Sequence, residues 1–329
     1  LEETDLSFIN QVKRDLCQKA ETETKYQRAE ISGFFATVGS QIVTLGNQKE
    51  AIKLPVDMPF VSRYLYTQLK TLLGVTPVLN VHPPKNQVQQ KRYDLYLIDI
   101  QPEEVIRILR LKTKNQQLIT QNKIPPLFVG DDLSFRSYLK GAFLACGYMN
   151  DPEKSYHCEM SSASVALMEN IGLHLESRGI KNAVLDRGTS ATLYMKESTM
   201  IADFLNLIGA HSSMLKMENI RILKEMRNEV NRQVNCDIAN VSKTLRASEE
   251  QIENIEYLLM NVNPKTLPER VQMVAKARLE NPELSLKELG ETITPPLSKS
   301  TVYRSLKKVT DLAEKHRVLT NKKKGNTPS

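Results

Sequence analysis

Two apolar segments of this chain repeat each other at a separation of 108 residues, and that repeat limits the folds open to it. The first reads RAEISGFFATVGS from Arg28, and the second reads YLKGAFLACGYMN from Tyr138. Each holds two glycines six positions apart, Gly33 with Gly39 and Gly141 with Gly147, among small and apolar residues. Duplication of a domain-sized unit explains such an offset. The flanking sequence repeats too. Behind the first segment, periodicity and turn residues predict strands at 41–45 and 51–54, a helix at 58–73, strands at 77–82 and 92–99, and a helix at 102–110. The second motif helix is expected at 133–146. Behind it come strands at 147–150 and 155–161, a helix at 164–177, strands at 181–186 and 189–196, and a helix at 199–208. Both halves therefore read helix, two strands, helix, two strands, helix. On the motif helices, Ser32, Gly33, Ala36 and Gly141, Ala142, Ala145 are small enough to let two backbones come close. The expected fold class is α+β: a duplicated pseudo-two-fold domain with one sheet from each half, then an all-α domain. The polar stretch 111–131, with Pro125-Pro126, reads as the connection between the halves.

At 329 residues the chain has room for two or three domains. The formal charge is +7, and the residues from Lys216 onward carry 21 Lys and Arg against 15 Asp and Glu. The excess is thus concentrated in the last third, which favours a basic C-terminal module over a uniformly basic surface. No run approaches the ~18 consecutive apolar residues of a membrane span, so no membrane partner is expected. No signal peptide is expected either; the first residue is Leu1 rather than Met, so the natural chain is expected to start earlier. Cys17, Cys146, Cys158 and Cys236 form no C-x-x-C, and read as reduced thiols of a cytoplasmic protein. The histidines are equally scattered, and no metal or other cofactor is expected.

From Ile220 the pattern is strongly helical. Val230, Val234, Ile238, Val241 and Leu245 form an apolar stripe, and Arg227, Asn231, Arg232, Asn235 and Lys243 are read as its polar side, facing phosphates or simply water. Ser248-x-x-Gln251 is expected to cap a new helix. A compact helical module follows. Thr266-Leu267-Pro268-Glu269 and Ser285-Leu286-Lys287-Glu288 both fit capping boxes, the second opening a short helix that stops at Gly290. After Pro295-Pro296, Ser298 can cap a helix reading KSTVYRSLKKV.

At ~100° per residue, Val302, Leu306 and Val309 of that helix share one narrow sector. Ser300, Arg304, Lys307 and Lys308 fall opposite, flanked by Thr301 and Tyr303. A helix-turn-helix reader inserts the start of its second helix into the major groove while nearby cations hold phosphates. Lys299, Ser300, Thr301, Tyr303 and Arg304 are the candidates for base-edge and adjacent contacts, with Arg304 suited to bidentate pairing with guanine. Lys307 and Lys308 are the candidate phosphate clamps. The link from Gly290 to Leu297 is longer than the ~3–4-residue turn usual in this motif. The tail 320–329, with three consecutive lysines from Lys322, lacks an apolar period and is expected to be disordered.

The glycine segments resemble the LAGLIDADG motif of homing endonucleases, laid on Ile31–Gly39 and Leu139–Gly147. In that family the eighth position carries a metal-binding acid; here it is Val38 in one copy and Cys146 in the other. Phosphodiester cleavage by that family needs hard oxygen ligands for divalent ions. Valine has no ligand atom and a lone thiol is a soft one. The neighbouring acids Glu30 and Asp151 read as a helix-surface charge and a turn residue. No catalytic residue and no metal ligand is therefore expected.

A LAGLIDADG-like domain without its acids, followed by a helix-turn-helix, resembles the WhiA family of bacterial regulators. The resemblance is most specific in GAFLACGYMNDPEKSYHCEM, RNEVNRQVNCDIANVSKTLRASEEQIENIEYL and NPELSLKELGETITPPLSKSTVYRSLKKV, and SFINQVKRDLCQ fits the opening helix. It implies a regulator that binds double-stranded DNA, linked to sporulation, cell division or chromosome segregation. It also implies a nucleoid location and, in some members, a sigma-factor partner. The expected boundaries are an N-terminal helix at 1–22, LAGLIDADG-like halves at 23–110 and 132–212 joined by 111–131, a helical bridge at 213–262, the helix-turn-helix domain at 263–319 and the tail at 320–329. The competing readings are an active endonuclease or maturase, and an adaptor that binds protein without reading DNA.

Overall fold

A computed structural model describes residues 7–46, 48–83, 91–115 and 117–324. The architecture is α+β, and the chain divides into two compact units, Leu1–Lys224 and Glu225–Ser329.

The first unit opens with α1 (Phe8–Gln18), whose Phe8, Ile9, Val12 and Leu16 are buried. The first motif helix is α2 (Thr24–Val38). It is followed by β1 (Gln41–Thr44), β2 (Glu50–Val56), α3 (Pro59–Leu73), β3 (Val78–His82), β4 (Arg92–Leu97) and α4 (Pro102–Ile108). Then come β5 (Lys112–Lys114), β6 (Leu118–Thr120) and α5 (Pro126–Val129). The second motif helix is α6 (Asp132–Cys146), followed by β7 (Gly147–Met149), β8 (Cys158–Ser162), α7 (Val165–Glu176), β9 (Ala183–Asp186), β10 (Ala191–Met195) and α8 (Ser198–Ile208). The second sheet runs β7-β8-β10-β9, and the first contains the same order as β1-β2-β4-β3. All these pairings are antiparallel, with Gln41 opposite Lys53 in one sheet and Gly147 opposite Met160 in the other.

The two motif helices pack backbone to backbone. A Cβ on Gly33 would overlap the Tyr138 carbonyl, and one on Gly141 would overlap the Glu30 carbonyl. The 108-residue offset carries Glu30 onto Tyr138 and Gly33 onto Gly141, so these are one contact made twice. The second glycines differ. Gly39 ends α2 in the left-handed region at φ 77°, which glycine enters without a Cβ clash. Gly147 is extended at φ −74° and is instead held against Phe143.

The stretch 111–131 is not a passive connection. β6 pairs with β1, so β5 and β6 extend the first sheet to six strands. The same stretch buries Ile119, Ile124 and Phe128. Gln121 sits at the helix pair: Tyr138 donates its hydroxyl to Gln121 Oε1 at 2.6 Å, and Gln121 Nε2 donates to the Arg110 carbonyl at 2.8 Å.

In the second unit the last turns of α9 (His211–Asn261) pack with α10 (Glu269–Glu280), α11 (Leu286–Thr292) and α12 (Lys299–Lys324). The core holds Ile255, Leu258, Val271, Val274, Leu289, Ile293, Val302, Leu306 and Val309. Four sequence expectations change here. Ser248 opens no helix, because α9 runs through it; its hydroxyl donates to the Pro282 carbonyl instead. Thr266 does not cap α10, whose N-cap is Pro268; its hydroxyl donates to the Asn263 carbonyl at 2.7 Å. α12 continues to Lys324, because the helix started at Lys299 meets no proline or glycine before then; the rest of the tail, 325–329, lies outside the described residues. The capping box at Ser285 and Glu288 forms as expected, although its helix passes Gly290 and ends at Thr292.

Candidate nucleic-acid interface

α12 is amphipathic in the way its sequence dictates. Val302, Leu306 and Val309 are buried to 3% exposure or less and fix the helix to α10 and α11. Arg278 of α10, itself 1% exposed, donates to the Leu284 carbonyl at 2.6 Å and so clamps the loop leading to α11. Gly290 closes the turn between α11 and α12. Its carbonyl accepts from Leu297 N at 2.9 Å, and a Cβ there would overlap the Leu297 carbonyl. The longer link is thereby pulled back onto α11. At its other end α12 is tied to α9, where Arg317 bonds Asn254 at 2.9 Å and stacks over Tyr257, 4.5 Å from the ring centre.

The opposite face is open. Lys299, Ser300, Tyr303, Arg304, Lys307 and Lys308 are all exposed, and the structure brings them onto the first three turns of one helix. Among the described residues, none of the four cations has an acidic partner within 4.0 Å. Thr301 stands apart from the group. It is half-buried, and its hydroxyl lies 2.9 Å from that of the N-cap residue Ser298, so it holds the start of the helix. Ser298 caps as the sequence implies, accepting from Thr301 N at 3.4 Å.

The ends of the motif helices present different chemistry. Val38 is half-buried and offers no donor atom. The Cys146 thiol donates to the Ala142 carbonyl at 3.2 Å, and burial pushes its pKa up to about 11, so it stays protonated at neutral pH. A protonated thiol and a valine do not fit the divalent ion that the endonuclease fold implies. Asp151 is an exposed turn residue accepting from Glu153 N at 2.9 Å. Glu30 is not the surface charge its sequence suggests. It is 1% exposed, with Lys140 Nζ 3.2 Å from Oε2 and the Tyr64 hydroxyl donating to Oε1 at 2.7 Å. Lys140 also donates to Tyr64 at 2.9 Å and to the Lys19 carbonyl at 2.7 Å. Both polar partners of Glu30 are saturated within the fold, so this buried acid is structural. Among the described residues no group of three His, Cys, Asp or Glu could hold a metal, and no helix is long and apolar enough to cross a membrane.

Comparison with known proteins matches these two parts to one family. Residues 135–227 match the model for the WhiA LAGLIDADG-like domain, and 230–313 match that for the WhiA C-terminal HTH domain. A protein of Clostridium acetobutylicum named "Probable cell division protein WhiA" is 36% identical over 321 residues, 95% of this chain and 99% of the relative. Its namesake in Clostridium tetani is 35% identical over 315 residues, covering 94% and 98%. The crystal structure of full-length WhiA from Thermatoga maritima superimposes with a TM-score of 0.56 at 24% identity, covering 94% of this chain and 98% of that one. A duplicated helix pair that has lost its acids, a basic helix set in a small helical core, and a match over nearly the full length place this chain in the WhiA family.

Proposed function

We propose that this chain is a sequence-specific DNA-binding transcriptional regulator whose α12 reads double-stranded DNA. The observation that carries the reading is the arrangement of α12. Its apolar side is locked into the helical core, while Lys299, Arg304, Lys307 and Lys308 stand exposed and, among the described residues, have no acidic partner within 4.0 Å. Cations in that state can displace condensed counterions along phosphates, which supplies most of the affinity. Lys299, Ser300, Tyr303 and Arg304 lie in the turns that enter a major groove, with Arg304 as the guanine reader. Lys307 and Lys308 hold flanking phosphates, and Thr301 acts through the helix start.

The LAGLIDADG-like unit serves as a scaffold without nuclease activity. This reading rests on Val38 and the protonated Cys146 at the positions where ligands are needed. The relatives' name connects the family with cell division, and the regulated genes are expected to include that process, sporulation or chromosome segregation. A nucleoid location follows from DNA binding, and a sigma factor is the proposed protein partner.

Duplex binding by the full chain, titrated against salt, tests the reading. Affinity should fall steeply with salt, and Lys307→Ala should lower the slope of log K against log salt by about one. Magnesium should leave the bound duplex uncut. Cleavage would favour the endonuclease, and a salt response unchanged by the substitution would favour the adaptor.

A further inference from the structure

Between the two ends of α9, Met226, Val230, Val234 and Ile238 recur every four residues and continue to Val241 and Leu245. They are 41–61% exposed, and among the described residues no element of the second unit covers them. A contiguous apolar line of this kind on a helix otherwise exposed on all sides is not a solvated surface. Its steps of four, four, four, three and four keep all six residues on one side of the helix, within about 120° at ~100° per residue.

Polar residues fall on the same side. Arg227 is seven residues before Val234, two turns along the same side, and not on the opposite side as its polarity suggests. Asp237, exposed, borders the stripe one residue before Ile238. Among the described residues Arg227 has no ion-pair partner, and Asp237 accepts only a 3.3 Å bond from Gln233. Neither can reach the other on one helix, since ten residues span roughly 15 Å.

We infer that a second copy of this chain covers the stripe, its α9 lying antiparallel with the two-fold axis at Arg232. In that register Met226 meets the second copy at position 238, and Val230 meets it at position 234. The reverse contacts repeat by symmetry, as an isologous pairing requires. The same register sets Arg227 opposite position 237 of the second copy, twice. A parallel pairing would instead set like charge against like, which is unfavourable. The charges therefore select both the occupant and its direction.

Sedimentation velocity of the full chain over a wide concentration range tests this. A reversible dimer is expected. Arg227→Asp should raise its dissociation constant by roughly tenfold or more, and adding Asp237→Arg should restore it. Val234→Glu should leave a monomer with unchanged helicity by circular dichroism; where helicity falls, the charge-reversal pair decides. A monomer at every concentration would overturn the inference and assign the stripe to a different protein. A dimer indifferent to Arg227→Asp, or one not rescued by the double reversal, would overturn it as well.

Discussion

Gly141 lies with its Cα directly against the backbone of Glu30, at the crossing of the two motif helices. No side chain fits between them. Gly141→Ala would push a methyl group into the Glu30 carbonyl, with backbone on both sides and nothing flexible to give way. Overpacking of this kind costs about 1–3 kcal/mol, and more where only backbone can move. Denaturant unfolding should show a loss at the upper end of that range. Gly39→Ala, at an open site, should cost only the left-handed strain.

The Glu30–Lys140 pair links stability to pH. Burial holds the Glu30 carboxyl above its ordinary 4.5, while Lys140 and the Tyr64 hydroxyl pull it back down. Lys140→Met removes the strongest of those counterweights and raises Glu30 further. The folded variant then keeps a proton that the unfolded chain releases, so its stability rises as pH falls toward 4.5. Leaving the carboxylate unpaired should cost about 3–5 kcal/mol at neutral pH. Unfolding measured at pH 7.5 and pH 5.5 should show the gap from the parent protein narrowing at the lower pH.

Gly290 sets the entry of α12. A Cβ there would strike the Leu297 carbonyl and the Val302 side chain, displacing the start of the helix. Gly290→Ala should destabilise the second unit by about 1–3 kcal/mol. Hydrogen exchange should place the loss in α10–α12 and leave the first unit protected. DNA affinity should fall although no candidate contact residue has changed.

Much of this was legible in the sequence where side-chain period and local chemistry agree. The repeated element order, the capping box at Ser285 and the two faces of α12 all follow from residues close together in the chain. What escaped depends on distant partners. β5 is exposed on every residue and β6 buries only Ile119 fully, so neither carries a strand pattern of its own. Glu30 looks like a surface acid until Lys140, 110 residues on, arrives beside it. Ser248 looks like a cap because its real partner, the Pro282 carbonyl, comes from the loop after α10. On α12, Thr301 could be placed near the exposed face but not recognised as bound to Ser298.

Selection of bound duplexes from a random pool asks whether α12 reads base sequence. The full chain and its Arg304→Ala variant would be selected in parallel at one salt concentration. One enriched motif is expected for the parent protein. The variant should lose discrimination at a single guanine position, worth about 1–3 kcal/mol. No enrichment by the parent protein, or an identical motif at unchanged affinity with Arg304→Ala, would rule out base reading by α12.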